Sequence, residues 1–291
     1  MIKDIITLRF GEWQAVVCAR LGGNIIELKY KDQDILRPLK KEEDLSVNPY
    51  LYGAPILVPA NRTFEGKFVF EGAEYHLPLN EPVNNCNLHG SVLFEAFDVV
   101  SADESRAVLR LIDTDCRSYP FPFSLTVTYA LTESGLAADY EVENIGKGNM
   151  PVTFCLHATF VEPESFSCPI DMCQEKDMHQ IPTGRYVELN DIEKNIAISS
   201  PSKNVAISGY YRACGNVARV GDFNYSVSNN FDHWTFFNGY GKCGYLCVEP
   251  QSGKVNGLNI EDGHTVISPN EKVKFSTLIS ESDPSSLIAN H

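Results

Sequence analysis

The sequence predicts an all-β fold, a sandwich or a closed barrel. Three observations carry this expectation. Short runs of β-branched, aromatic and aliphatic residues recur along the chain. Twenty glycines and sixteen prolines punctuate it at short intervals. No long stretch shows a strong 3.6-residue period or a βαβ alternation.

The expected elements follow in order. Residues 5–10 and 13–18 read as strands separated by Gly11-Glu12, and Gly22-Gly23 breaks the chain before a strand over 25–30. Residues 67–70 and 75–79 flank Glu71-Gly72-Ala73-Glu74, a hairpin signature. Residues 107–112 alternate cleanly. Residues 123–131 and 136–142 are divided by Thr132-Glu133-Ser134-Gly135, a second hairpin. Strands then follow over 152–160, 235–237, 244–248 and 272–279. Residues 163–191, rich in Pro, Asp, Cys and Gly, read as a long surface excursion, after which strands resume. There is no repeat of fixed period, and one domain over 1–291 is expected.

Composition narrows the function classes. Apolar residues make up 43% and charged residues 21%, ordinary for a soluble globular protein. The formal charge is −14, from 24 basic and 38 acidic residues. Such a chain offers no basic face to nucleic acid or to an anionic membrane, and it disfavours ligands with several phosphates. Met1-Ile2-Lys3-Asp4 leads into no long apolar stretch, so a signal peptide is not expected, and no apolar run is long enough to span a bilayer as a helix. The nine cysteines are odd in number and scattered, several inside apolar runs. They read as reduced thiols in a cytoplasmic protein. None has the spacing of a zinc site, so no metal is expected.

A few polar residues stand where polar residues are unexpected. Glu249 closes the apolar run 245–248 and precedes Pro250-Gln251-Ser252-Gly253, a turn signal. A carboxylate at the mouth of a buried strand is partly desolvated, and its pKa moves toward that of a general base. His157 lies inside the run 152–160. Strand alternation puts it on a small, semi-polar face with Thr153, Cys155 and Thr159, opposite Phe154 and Leu156. It is either a ligand-facing group or a core histidine bonded to a carbonyl. His89 ends the Asn-rich loop Asn84-Asn85-Cys86-Asn87-Leu88-His89-Gly90. Arg62, in Asn61-Arg62-Thr63-Phe64-Glu65, offers a planar fork of donors suited to sugar hydroxyls, or an ion pair with Glu65 or Glu74. Asp232 sits between Phe231 and His233-Trp234, either a hydroxyl acceptor beside aromatic rings or a turn cap.

In their order along nearly the whole chain these stretches resemble the aldose 1-epimerase (galactose mutarotase) family. The motifs are Asn61-Arg62-Thr63-Phe64-Glu65-Gly66-Lys67-Phe68, Tyr75-His76-Leu77-Pro78-Leu79-Asn80, Asn87-Leu88-His89-Gly90, Pro151-Val152-Thr153 leading to His157, Ile181-Pro182-Thr183-Gly184, Val248-Glu249-Pro250-Gln251 and Ser268-Pro269-Asn270-Glu271. The resemblance implies a large antiparallel β-sandwich of the supersandwich type, needing no metal and no organic cofactor. It implies Glu249 as general base, His157 as general acid, Arg62 and His89 as substrate-binding residues and Asp232 as a hydroxyl-binding acid. The chain departs from the family where Leu156 replaces the usual Asn before the histidine, where Ala158-Thr159-Phe160 replaces an aromatic pair, and where Thr63 replaces Ile. It reads as a divergent branch.

The expected reaction is the interconversion of α and β anomers of a free hexose. Ring opening removes a proton from the C1 hydroxyl and delivers one to the ring oxygen, and a carboxylate with an imidazolium supplies both. A monosaccharide is the expected partner, with the protein a monomer or homodimer. Two alternatives stand beside this reading: a hexose-6-phosphate 1-epimerase of the same fold, and a non-catalytic carbohydrate-binding protein.

Overall fold

The computed structural model describes residue 2, residues 4–46 and residues 48–282. Antiparallel strands dominate. Two eight-stranded sheets form the body, and a four-stranded sheet of Ile5–Phe10, Trp13–Cys18, Asn24–Tyr30 and Gln33–Asp34 flanks them. The first large sheet runs in spatial order Asp98–Ala102, Arg106–Asp113, Phe123–Thr132, Gly135–Asn144, Lys272–Glu281, Phe223–Val227, Val217–Val220, Phe166–Ser167. The second runs Pro182–Glu188, Ile170–Lys176, Ser208–Ala213, His233–Phe237, Tyr245–Gln251, Cys155–Leu156, Ile56–Leu57, with Ala158–Val161 also paired to Tyr245–Gln251. The supersandwich class expected from the resemblance is the class observed.

The hairpins follow turn chemistry. Phe70 pairs with Ala73, so the turn is the two residues Glu71-Gly72, both at positive φ. That is the twist-compatible form of a two-residue hairpin. Thr132 likewise pairs with Gly135. In Arg106–Asp113 and Phe123–Thr132 nearly every second residue is buried, as period-2 patterning requires. The buried faces of the two large sheets meet through rings. Phe154 stacks on Phe275 at 4.4 Å, and Tyr225 meets Phe160 at 5.6 Å and Trp234 at 6.2 Å. Each such ring contributes roughly 1.5–3 kcal/mol by leaving water.

Two expectations are corrected. Residues 163–191 are not a surface excursion. They supply Ile170–Lys176 and Pro182–Glu188, two strands of the second large sheet. The burial of Ile170–Lys176 does not alternate, and register shifts interrupt its ladders, so the period-2 signal is missing. Nor is 152–160 one strand. It is broken into Met150–Val152, Cys155–Leu156 and Ala158–Val161, with His157 in the last gap. Opposite that gap, Tyr245–Gln251 continues through Pro250, so Glu249 lies within a strand rather than at its mouth. Proline cannot donate to a ladder, and it is tolerated here because the neighbouring segment is interrupted next to it.

Candidate active site

The sheet register explains why Glu249 and His157 meet. Cys155 pairs with Gln251 and Ala158 pairs with Val248. Continued through the gap, the same register sets His157 opposite Glu249. On the other side Glu249 pairs with Thr235, and Thr235 pairs with Tyr210. His157, Glu249, Thr235 and Tyr210 therefore form one row across four neighbouring segments of the sheet. All four line a cavity of about 420 Å³, within the usual range for small-ligand sites.

His157 Nε2 lies 3.3 Å from Glu249 Oε1, and both side chains are almost fully buried. The His157 backbone N–H is held by the Pro55 carbonyl at 2.9 Å. Its Nδ1 lies 3.5 Å from the Thr159 hydroxyl, which leaves Nε2 directed to the carboxylate. Burial raises the Glu249 carboxyl to about 8, opposed by the nearby Arg62 charge. Burial lowers the His157 imidazole to about 4. Near neutrality the pair shares one titratable proton. Glu249 Oε2 is buried without a hydrogen-bond partner, an expensive state unless a ligand hydroxyl fills it.

Arg62 enters from the loop side. Its Nε and Nη2 bond the two carboxylate oxygens of Glu81 at 2.7 and 2.6 Å, and Nη1 donates to the Tyr210 hydroxyl at 2.6 Å. Burial works against its charge, but the Glu81 bonds outweigh it and hold the guanidinium firmly protonated. Arg62 does make an ion pair, with Glu81 rather than Glu65 or Glu74. His89 sits at φ +66° and Gly90 at +63°. A Cβ on Gly90 would fall 2.1 Å from the Val58 carbonyl oxygen, so only glycine lets the loop pass there. The His89 ring meets His157 edge-on at 5.1 Å and Tyr50 at 4.6 Å. Burial first, with the nearby Arg62 charge, pushes the His89 imidazole well below its ordinary range. Its Nδ1 is buried and unpartnered.

Four of the five expected residues, Glu249, His157, Arg62 and His89, thus line one cavity. Asp232 does not, and that expectation is corrected. It precedes the strand His233–Phe237 and is out of phase with the cavity-lining Thr235. Its Oδ1 accepts from the Gly253 N–H at 2.7 Å and lies 2.9 Å from His233 Nδ1, and the side chain is largely exposed. It ties the loop at Gly253, not the turn after Ser228-Asn229-Asn230 that the cap alternative gave it. Sequence reasoning also missed Glu81, Tyr50, Tyr210 and Thr235. Only Thr235 carried a signal, since it sits in a recognisable strand. The others come from loops and from the strand after the supposed excursion.

Comparison with known proteins bears on these features. The family model described as aldose 1-epimerase matches residues 4–280. Among curated proteins, an uncharacterized protein YihR of Escherichia coli is 25% identical over 186 residues, 61% of this chain and 59% of the relative. A galactose mutarotase of Rattus norvegicus is 30% identical over 150 residues, 48% of this chain and 42% of the relative. The matched stretches thus span about half the length of these relatives. Among solved structures, a galactose mutarotase-like protein from Clostridium acetobutylicum superimposes with a TM-score of 0.86 at 22% identity, covering 94% of each chain. An Escherichia coli protein described as a putative aldose 1-epimerase gives 0.82 at 20% identity, covering 95% of this chain and 99% of the other.

Proposed function

The chain belongs to the aldose 1-epimerase family, and on that premise we propose that it interconverts the α and β anomers of a free hexose. The observation that carries the reading is the buried Glu249–His157 pair at 3.3 Å. Ring opening needs one proton removed from O1 and one delivered to the ring oxygen. Glu249 acts as base toward the C1 hydroxyl and His157 as acid toward the ring oxygen. The pair already holds the single proton it needs. A sugar that offers a hydroxyl donor to Glu249 and an acceptor oxygen to His157 favours the proton on the imidazole. Rotation about C1–C2 and closure with the roles exchanged then give the other anomer. Arg62 and His89 present N–H groups to sugar oxygens, and the Tyr50 ring offers an apolar face beside them.

The phosphorylated alternative finds less support. Among the cavity-lining residues Arg62 is the sole Arg or Lys, and its charge is already matched by Glu81 through two bonds. The site therefore suits a neutral ligand better than a phosphate dianion. A purely binding role leaves the raised carboxyl and lowered imidazole side by side without use.

Polarimetry or NMR anomer exchange on a panel of free and phosphorylated hexoses tests the reading. Catalysed exchange of a free hexose, lost in Glu249→Gln and His157→Asn, is the expected result. Folded variants that keep near-wild-type exchange refute the assignment.

A further inference from the structure

Cys247 is a buried thiol with no part in the proton transfers, yet it stands beside them. It lies two residues before Glu249 on the same strand, so both side chains project to one face. Its Sγ is 3.6 Å from the Thr159 hydroxyl, which in turn lies 3.5 Å from His157 Nδ1. One ligand atom from each of His157, Cys247 and Glu249 lies within 4.8 Å of the others. All three residues are buried. Glu249 brings a carboxylate oxygen with no partner in the fold.

We propose that His157, Cys247 and Glu249 form an inhibitory site for a thiophilic divalent cation of the Zn²⁺ class, entered from the sugar cavity. Sulfur, nitrogen and one carboxylate oxygen are the donor types such an ion selects, whereas Mg²⁺ and Ca²⁺ call for oxygens alone. Tetrahedral zinc at the usual bond lengths spans about 3.3 Å from nitrogen to oxygen, and the His157–Glu249 separation is already 3.3 Å. The sulfur corner spans about 3.6 Å in such a site, and the ligand atoms lie within 4.8 Å of one another, so the set contracts by about 1.2 Å at most to close. A water would complete the fourth position, and the site would be reached past His157 and Glu249, which line the cavity. Thr159, next to both Sγ and Nδ1, would be the outer-sphere group that orients two of the ligands. A cation held here occupies the base and the acid together, so sugar turnover stops. The inhibition rests on the function proposed above; the binding does not.

Cobalt(II) is the probe that separates the two, because a cobalt–thiolate bond absorbs in the near ultraviolet and tetrahedral cobalt has intense visible bands. The full chain is titrated with Co²⁺ and Zn²⁺, and anomer exchange is followed in parallel with Mg²⁺ as control. One equivalent of cobalt giving both absorptions is expected, with Zn²⁺ displacing it. Exchange should fall at least about tenfold at saturating zinc and return on adding EDTA. Cys247→Ser retains the exposed Cys116, Cys214 and Cys243, so it controls for adventitious thiols. It should lose the thiolate absorption and need at least about tenfold more zinc for half inhibition, measured against its own metal-free rate. Should that variant not fold, Glu249→Gln removes a different ligand and must weaken the same absorption. Equal titrations of wild type and Cys247→Ser overturn the proposal, as does a cobalt complex without thiolate absorption. Unchanged exchange with the site occupied also overturns it. If no sugar is turned over, the functional reading fails while the cobalt spectrum still decides the site.

Discussion

Replacing Glu249 by glutamine should produce a protein that is catalytically crippled and more stable, with the gain set by pH. The wild-type carboxyl titrates near 8 in the fold against an ordinary 4.5. A carboxyl whose folded pKa lies above its unfolded value stabilises the fold fully below the unfolded pKa. That contribution is lost as pH rises through the window up to the folded pKa. At pH 7 the unfolded chain has released a proton that the folded chain retains. The wild type therefore forgoes about 3 kcal/mol, at 1.36 kcal/mol per pH unit above 4.5. Glutamine keeps the shape and has no charge to bury, so this loss disappears. The variant should melt roughly 6 °C higher than wild type at pH 7, at about 2 °C per kcal/mol for a chain of this size. At pH 5 the difference should shrink to about 0.7 kcal/mol, roughly 1–2 °C. Exchange of the preferred hexose should fall by about 10²–10⁴. Circular dichroism melts at pH 5, 6, 7 and 8, with polarimetry on the same samples, measure both. Parallel stability curves for the two proteins across that range refute the raised carboxyl. An undiminished rate refutes its role as base.

Three further outcomes are expected. The kcat/KM of anomer exchange should rise as pH passes about 4, where His157 gives up its extra proton, and fall past about 8, where the pair loses its last one. A profile flat from 4 to 10 contradicts the one-proton pair. Glu81→Gln leaves the Arg62 charge uncancelled, so competition assays should show tighter binding of hexose phosphates than in wild type, and unchanged or weaker phosphate affinity counts against the charge argument. Gly90→Ala meets both the left-handed backbone and the Val58 carbonyl oxygen, and should cost at least about 1–3 kcal/mol in urea unfolding; a neutral result shows that the loop shifts freely.

The fold was legible where one sheet face is greasy and the other wet. Arg106–Asp113 and Phe123–Thr132 announce themselves because nearly every second side chain enters the core. Ile170–Lys176 stayed hidden for the opposite reason. It carries the buried amide Gln174 and the half-buried Lys176, and its ladders slip. Glu249 and His157 stood out through motif order, yet the contact between them is a matter of register far along the chain, which no local pattern encodes. Asp232 misled because an Asp beside aromatic residues looks alike whether it faces a ligand or ties a turn. Only its phase relative to Thr235 separates the two, and that needs the strand boundary. Glu81 was unreadable because its meaning lies wholly in its two bonds to Arg62.

The register also bears on how the chemistry can be reversible. Two side chains on flexible loops would pay entropy to hold a 3.3 Å contact in a dry cavity. Here both hang from adjacent segments of one sheet, whose opposed residues lie about 4.5–5.5 Å apart at Cβ. Each segment is held on its far side as well: Tyr245–Gln251 by His233–Phe237, and Cys155–Leu156 by Ile56–Leu57. The anomer exchange proposed here would have the two groups trade roles between opening and closure, so neither would be tuned as a fixed acid or a fixed base. Burial achieves this by penalising the charged form of both, which raises one and lowers the other. The contacts that a bound sugar makes to the two groups must then offset the gap that burial opens between them. Leu156 fits that account: it lies on the opposite face from His157, wholly buried in the core, and it anchors the interrupted segment by packing. Leu156→Asn should therefore loosen the pair as well as the fold. It should lower kcat with little change in KM and shift both limbs of the pH profile toward ordinary values. A variant that loses stability but keeps both limbs in place would show that the sheet, and not this side chain, sets the spacing.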